Sequence, residues 1–436
     1  MAFSLPGVRV PHRKNTADGQ AVLMQSNCRT VTIPMSMHIG APAKPVVNIG
    51  DAVKVGTLIA EAGGAVSAPV HASVSGKVAK IVDFLLADGR TVPAVVIESD
   101  FFMTPDETIA PPVIDSRESF IEAVKNSGIV GLGGAGFPTH FKLNADPAKI
   151  EYLIVNGAEC EPYVTSDTLT MENRGNDMAE ALEAVKKWLG VKNIVIGVES
   201  NKKRAIEKMN ELAAEIGAQV KVLPSIYPQG GEKVLIYNTT GRVVEAGKLP
   251  IDAGCIVINC TTLAAIGAYL KTGMPLVSKC VTVDGGAVKE PKNVIVPIGV
   301  SMEEVFAECG GFTVDPAKVV YGGPMMGITV PDLSAPIMKT TNAILALTEK
   351  EIKTPKTTNC IRCGSCTNTC PFGINPAEIA RAYQKKDAAA LKSLELMSCM
   401  ECGCCSFICP ANRPLVQTNR LAKAFLKEEQ AKEGKK

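Results

Sequence analysis

Short runs of valine and isoleucine, separated by glycine and proline, dominate the stretch from Val31 to Ile97. Gly50-Asp51, Gly63-Gly64 and Gly76 punctuate it as turn signals, so the pattern predicts a β-rich segment. A proline-rich link from Pro105 to Pro112 closes it. Beyond the link, strand-like runs at Tyr152 to Val155, Asn193 to Val198, Ala218 to Leu223 and Cys255 to Ile258 alternate with helical patterns. In Met178 to Leu189 and Asn201 to Ile216, apolar residues recur every three or four positions with charges between them. Such alternation, from Ile114 to about Thr272, predicts a parallel sheet covered by helices. After Pro275, short strands flank Asp284-Gly285-Gly286, a helix is expected near Met302 to Cys309, and Tyr321-Gly-Gly-Pro-Met-Met-Gly327 follows. From Lys350 onward lies a cysteine-rich module with a helix, Pro376 to Lys385, between its halves. A Lys/Glu-rich helical tail with a solvated face ends the chain. The pattern divides the protein into four domains, 1–112, 113–275, 276–345 and 346–436.

Composition sets limits on function. The 436 residues are 46% hydrophobic and 21% charged with a net charge of +2, enough for several cores and no reason to expect nucleic acid. A spanning helix needs about 18 or more uninterrupted apolar residues. The richest candidate, Cys255 to Leu270, is too short and contains Asn259, Thr261 and Thr262. Met1 to Lys14 has no apolar signal core. The chain is expected to be soluble and to stay where it is made. Of 15 cysteines, seven are scattered without framework spacing, as reduced thiols in a cytosol would be: Cys28, Cys160, Cys255, Cys260, Cys280, Cys309 and Cys404.

The other eight carry the strongest chemical signal. They form two runs, Cys360-x-x-Cys363-x-x-Cys366-x-x-x-Cys370-Pro371 and Cys399-x-x-Cys402-x-x-Cys405-x-x-x-Cys409-Pro410. This is the spacing of a bacterial ferredoxin cluster site, in which the fourth cysteine ligates the cluster of the other run. Cys360, Cys363, Cys366 and Cys409 are therefore expected to hold one [4Fe–4S] cluster, and Cys399, Cys402, Cys405 and Cys370 the second. Structural zinc uses paired CxxC units instead. Cys404 falls outside the register and reads as a packed neighbour.

A second chemical signal is the loop Gly131-Leu-Gly-Gly-Ala-Gly-Phe-Pro-Thr-His-Phe-Lys142. Its glycines bare the backbone to a ligand, and Lys142 follows at the distance of a phosphate partner. Alone, the pattern fits a nucleotide site or a plain glycine-rich turn equally well. It precedes a strand, unlike the usual dinucleotide fingerprint. The loop resembles the Gly-Arg-Gly-Gly-Ala-Gly-Phe-Pro-Thr-Gly-Leu-Lys loop of the flavin-bearing, NADH-oxidising subunit of respiratory complex I. Asn156-Gly-Ala-Glu-Cys-Glu-Pro162, Gly231-Glu232 and Asn259-Cys-Thr-Thr-Leu263 resemble further segments of that subunit, in order. The resemblance implies FMN held by Gly131, Gly133, Gly134 and Gly136 of the loop with Lys142, Asn156, Asn259 and Thr262. It implies NADH contacts from Phe137, Glu159, Glu161 and Glu232. Leu132 departs from an arginine and Ala158 from an aspartate.

The N-terminal β-rich stretches, Pro45 to Glu61 and Ser67 to Val78, resemble the halves of a biotinyl/lipoyl-type barrel-sandwich. No lysine lies between Glu61 and Gly76, so no swinging arm is expected. Pro11-His-Arg-Lys14, His38-Ile-Gly-Ala-Pro42, the barrel-sandwich, the flavin loop, an SLBB-like β-grasp segment (Val281 to about Val319) and two cluster runs together resemble the C subunit of the Rnf electron-transport complex. The implied fold is multidomain α+β and α/β: a barrel-sandwich, a Rossmann-like flavin domain, a β-grasp and a two-cluster ferredoxin module. The implied function is NAD-linked oxidoreduction through FMN and two [4Fe–4S] clusters. The implied setting is peripheral, on the cytoplasmic face of the membrane, with integral-membrane and iron–sulfur subunits, NAD(H) and, indirectly, ferredoxin as partners. Two rival readings are a soluble flavin reductase of cobalamin or another small acceptor, and a pure electron relay without nicotinamide. No general acid or base is required, and His12, His38, His71 and His140 read as structural. Met325 and Met326 read as core filler.

Overall fold

The computed structural model describes residues 5–24, 28–352 and 355–433. Strand β1 (Val22–Leu23) belongs to a later sheet. The barrel-sandwich is built from β2 (Thr30–Pro34), β3 (Lys44–Pro45), β4 (Ala52–Val53), β5 (Leu58–Glu61), β6 (Val70–His71), β7 (Gly76–Leu85) and β8 (Thr91–Ser99). They form two sheets, ordered β2-β8-β7-β4 and β3-β5-β6. Along β2, Val31 and Ile33 are fully buried while Thr30 is exposed and Thr32 half-buried, the alternation of a one-sided strand.

The α/β domain follows, with α1 (Arg117–Asn126), α2 (Thr139–Leu143), β9 (Tyr152–Gly157), α3 (Ser166–Asn173), α4 (Gly175–Leu189), β10 (Asn193–Glu199), α5 (Lys203–Ile216), β11 (Gln219–Leu223), α6 (Glu232–Thr240), β12 (Cys255–Asn259) and α7 (Cys260–Thr272). All four strands are parallel, in the order β11-β10-β9-β12. The winding reverses between β9 and β12, which creates a topological switch point at their carboxyl ends, where open α/β sheets bind ligands. The expected strands and the two amphipathic helices lie where their periodicity put them. Helices α3, α6 and α7 carry no such signal. Helix α3 buries Ser166, Asp167, Thr168 and Thr170, so it has no apolar stripe. Helix α7 is buried on most sides, and a Cβ on its Gly267 would meet the Asp177 carbonyl oxygen at 1.8 Å, so only glycine lets it lie against α4.

Next come β13 (Ser278–Asp284), β14 (Lys292–Pro297), α8 (Met302–Glu308), β15 (Lys318–Tyr321), β16 (Ile328–Val330) and β17 (Ala343–Leu347). Their sheet runs β1-β14-β13-β17-β15-β16. Two expected boundaries shift as a result. Strand β1 pairs in parallel with β14, so part of the stretch assigned to the first domain is built into the third. Strand β17 continues to Leu347, past the expected boundary at 345. The buried Lys339 ties three domains together, donating to Pro69 O and Gly128 O at 2.7 Å each. Burial pushes its ammonium down to about 7, the direction desolvation dictates.

The last module contains α9 (Ser365–Asn368), α10 (Pro376–Gln384), α11 (Ala388–Ser393), α12 (Cys404–Phe407) and α13 (Leu415–Glu433). Its own small core gathers Ile374, Ile379, Leu391, Leu396 and Leu426. Among the described residues, no helix is long and apolar enough to cross a membrane.

Candidate functional site

The glycine loop lies over the switch point, held at both ends. Leu132 N donates to Thr262 Oγ1 at 2.9 Å and Leu132 O accepts from Lys279 Nζ at 2.7 Å. Gly136 O accepts from Ile39 N at 3.1 Å, so the barrel-sandwich also grips the loop. Between these anchors Gly133 and Gly134 are exposed, and a Cβ on Gly134 would meet nothing within 4 Å. Gly131 is half-buried. Gly136 sits at φ +73°, a left-handed conformation that favours glycine. Leu132, in the place expected of an arginine, is buried. The nearby cation is Lys279, fully buried and pushed down to about 8 by desolvation.

Asn156 and Asn259 face each other in register at the ends of β9 and β12. Asn259 also caps α7, its Oδ1 accepting from Thr262 N at 3.1 Å while its Nδ2 donates to Asp167 Oδ2 at 2.7 Å. Asn156 Nδ2 donates to Gly230 O at 2.9 Å. Lys142 Nζ donates to Glu232 Oε1 at 2.8 Å and Val257 O at 2.9 Å, using two of an ammonium's three donors. Phe137 meets Phe141 edge-on, with ring centroids 5.8 Å apart. A bare loop backbone, two amide side chains and a lysine thus converge at the switch point, a donor set that fits a flavin phosphate and ring.

Two of the three glutamates for which the resemblance implies NADH contacts, Glu159 and Glu161, bond within the protein. Glu159 accepts from Asp167 N at 2.8 Å and Thr168 Oγ1 at 2.7 Å. Its carboxylate caps the start of α3, where unpaired N–H groups favour an anion. Glu161 accepts from Met325 N at 3.0 Å and Met326 N at 2.8 Å. Burial raises its carboxyl above the usual range, and those two N–H bonds oppose the shift. Burial, then the Glu159 charge, likewise raises Asp167, a residue without a sequence signal of its own.

The two cysteine loops repeat each other in backbone as well as in spacing. Arg362 and Glu401, at matching positions, adopt φ +58° and +61°, and Gly364 and Gly403 follow at +75° and +83°. Cys360, Cys363, Cys366 and Cys409 line one cavity of about 170 Å³. Cys370 stands with Cys399, Cys402 and Cys405. Burial and then the Cys402 and Cys399 thiols push Cys370 up, while burial and then Cys399, Cys402 and Cys370 push Cys405 up to about 12. One set of four cysteines thus lines a shared cavity and the other four lie within electrostatic reach of one another, and cysteine thiolates are the donors that iron–sulfur clusters take. Cys399 Sγ accepts from Glu401 N and Asn419 Nδ2, each at 3.4 Å, bonds of the kind that tune cluster potentials.

One junction connects the two sites. Tyr227 Oη donates to Cys402 O at 2.7 Å, and Cys404 Sγ donates to Tyr227 O at 3.7 Å. Burial and the Glu161 charge raise the phenol's pKa, so it remains a donor. Gly231 lies so close to the second cysteine loop that a Cβ would sit 2.4 Å from Met400 Cε. Met325 packs into the same contact instead of filling a domain core, and Met326 is exposed. The segment Tyr227 to Glu232 therefore touches the second cysteine loop at one end and Asn156 and Lys142 at the other. No sequence pattern marks Tyr227.

Residues 3–101 match the model of the RnfC barrel-sandwich hybrid domain, 124–268 the Nuo51 FMN-binding domain, 280–329 the SLBB domain and 356–423 the 4Fe-4S dicluster domain. The C subunit of the Na(+)-translocating ferredoxin:NAD(+) oxidoreductase complex of Acetobacterium woodii is 44% identical, over 96% of this chain and 95% of that one. Its counterpart in the proton-translocating complex of Clostridium ljungdahlii is 42% identical, over 81% of this chain and 79% of that one. The counterpart in the ion-translocating oxidoreductase complex of Rhodobacter capsulatus is 42% identical, over 92% of this chain and 79% of that one. With an FMN-binding domain, a two-cluster domain and relatives of this identity along nearly its whole length, the chain belongs to the RnfC family, the C subunits of ion-translocating ferredoxin:NAD(+) oxidoreductase (Rnf) complexes.

Proposed function

We propose that this chain is the peripheral, NAD-facing subunit of an ion-translocating ferredoxin:NAD oxidoreductase, bound to the cytoplasmic face of its membrane partners. FMN held here would supply the conversion between a hydride's two electrons and the single electrons that iron–sulfur clusters accept. Gly131, Gly133, Gly134, Gly136, Asn156, Asn259, Thr262 and Lys142 hold the flavin, and Phe137 and Glu232 face the nicotinamide. Glu159 and Glu161 shape that site from within, as a helix cap and as a staple to the β-grasp domain.

The observation that carries the reading is the segment Tyr227 to Glu232, six residues that span from the Cys402 loop to Lys142. It supports a site of Cys399, Cys402, Cys405 and Cys370 proximal to the flavin. The other cysteine site is the outlet, since Cys363 is exposed and Ile361, which lines the same cavity, is 66% exposed. An uncovered apolar residue next to a cluster suits docking of a redox partner.

Membrane washing tests the setting. The chain is expected to sediment with membranes in low salt and to leave them in high salt, with ferredoxin-dependent NAD reduction lost from the washed membranes and restored on adding the chain back. A chain that never sediments, while its NADH-driven activity toward a small acceptor persists, contradicts the proposal.

A further inference from the structure

Residues 7–16 run across the surface of two other domains and are bonded along the way. Val8 exchanges two backbone hydrogen bonds with Tyr227, at 2.8 Å and 2.9 Å. Gly7 passes so near that a Cβ would lie 2.3 Å from Tyr227 O. Val8 and Val10 are buried in one apolar cluster with Tyr227, Cys402 and Cys404. The arm then crosses the loop that follows β9. His12 O accepts from Tyr163 N at 3.0 Å, and Arg13 Nη1 donates to Tyr163 Oη at 2.6 Å. Lys14 Nζ donates to Glu159 O, Glu161 O and Val164 O at 2.8, 2.8 and 2.5 Å. Three donors meet three carbonyls, which is what lets an ammonium be buried; burial still lowers its pKa. Asn15 Nδ2 finally reaches Asp284 Oδ1 at 3.1 Å.

One strap therefore touches the flavin domain, the β-grasp and the proximal cysteine loop. We propose that residues 7–16 form a positioning clamp that holds Tyr227 against the proximal cluster loop and so sets the passage between flavin and cluster. Lys14 is its anchor, fixing the Glu159–Val164 segment whose Glu161 in turn grips the Met325 and Met326 amides. Val8 and Val10 are its grip, buried against Tyr227, Cys402 and Cys404. The inference rests on the flavin-to-cluster reading above and adds to it that residues 7–16 govern the step between the flavin domain and the cluster module.

Gly7→Val drives a side chain into Tyr227 O, and Val10→Asp places a charge in the apolar junction; both lie away from the glycine loop. Purified without oxygen, each variant is expected to keep the FMN and iron content of the parent. Hydrogen exchange at the amides of Met400 to Cys405 should quicken by about tenfold or more. After mixing with NADH, flavin bleaching should stay within about twofold of the parent while cluster reduction slows by about tenfold or more, since small displacements at a reacting junction are costly. Unchanged exchange and unchanged cluster reduction in both variants, beside a parent that passes electrons normally, overturn the clamp and leave the flavin reading intact. Loss of FMN along with everything else overturns it too, by making the arm a general support. A parent that NADH does not bleach removes the reading beneath it instead.

Discussion

Alanine at Cys409 is expected to strip the iron held by Cys360, Cys363 and Cys366, about four of about eight per chain, while NADH still bleaches the flavin. The reason is spatial. Cys409 ends the second run in sequence, yet it lines the cavity of the first three cysteines of the other run. Only the outlet site should fail, so the proximal cluster should still take electrons and delivery to the membrane partners should stop. Cys370→Ala should do the opposite, emptying the site that borders Tyr227 and trapping electrons on the flavin side. Iron analysis and low-temperature electron spin resonance of the two variants distinguish these cases. If Cys409→Ala instead erased the cluster of its own run, the crossed assignment would be wrong.

At the other site, Gly133→Ala is expected to weaken FMN binding by about fivefold to about 150-fold, the equivalent of the roughly 1–3 kcal/mol typical of overpacking. A Cβ at Gly133 would stand 2.4 Å from Asn259 Nδ2 and 2.5 Å from its Cγ. Asn259 cannot step aside cheaply, because one end of its amide caps α7 and the other is held by Asp167. Gly134→Ala is the informative partner, since its Cβ would meet no protein atom within 4 Å. Any loss of affinity there reports contact with the flavin itself. Flavin fluorescence titration of apoprotein measures both, and iron content should not change. Unaltered affinity in Gly133→Ala would remove the loop from the flavin site.

How far the chain could be read depended on whether the information was local. The cysteine runs and the glycine loop are local, so their spacing survives folding unchanged. Strands β9, β10 and β12 were legible because buried parallel strands are near-continuous apolar runs, and the edge strand β11 because Val220 and Val222 alternate with Gln219 and Lys221. Helix α3 was not, because polar Ser166, Asp167, Thr168 and Thr170 are buried along with Leu169 and Met171, and Asp167 and Thr168 serve Glu159 and Thr261. For Glu159 and Glu161 the resemblance implies NADH contacts and says nothing of their bonds within the protein. Their inward roles depend on Thr168 and on Met325 and Met326, and nothing in the run Glu159-Cys160-Glu161 announces partners so different. Tyr227 and Lys14 show the same limit more sharply. Tyr227 bonds a residue 175 positions later, and Lys14 bonds carbonyls 145 to 150 positions away. Contacts of that span leave no periodicity for a sequence to carry.

A hydride-accepting pocket and two thiol cages on one polypeptide matter only if charge moves between them. Stepwise reductive titration of the anaerobic, fully loaded chain with NADH asks this directly. Flavin absorbance should bleach first, with the spectral signature of reduced cubanes growing in behind it as equivalents accumulate. A preparation replete in iron and flavin whose spectrum NADH leaves untouched would contradict the account.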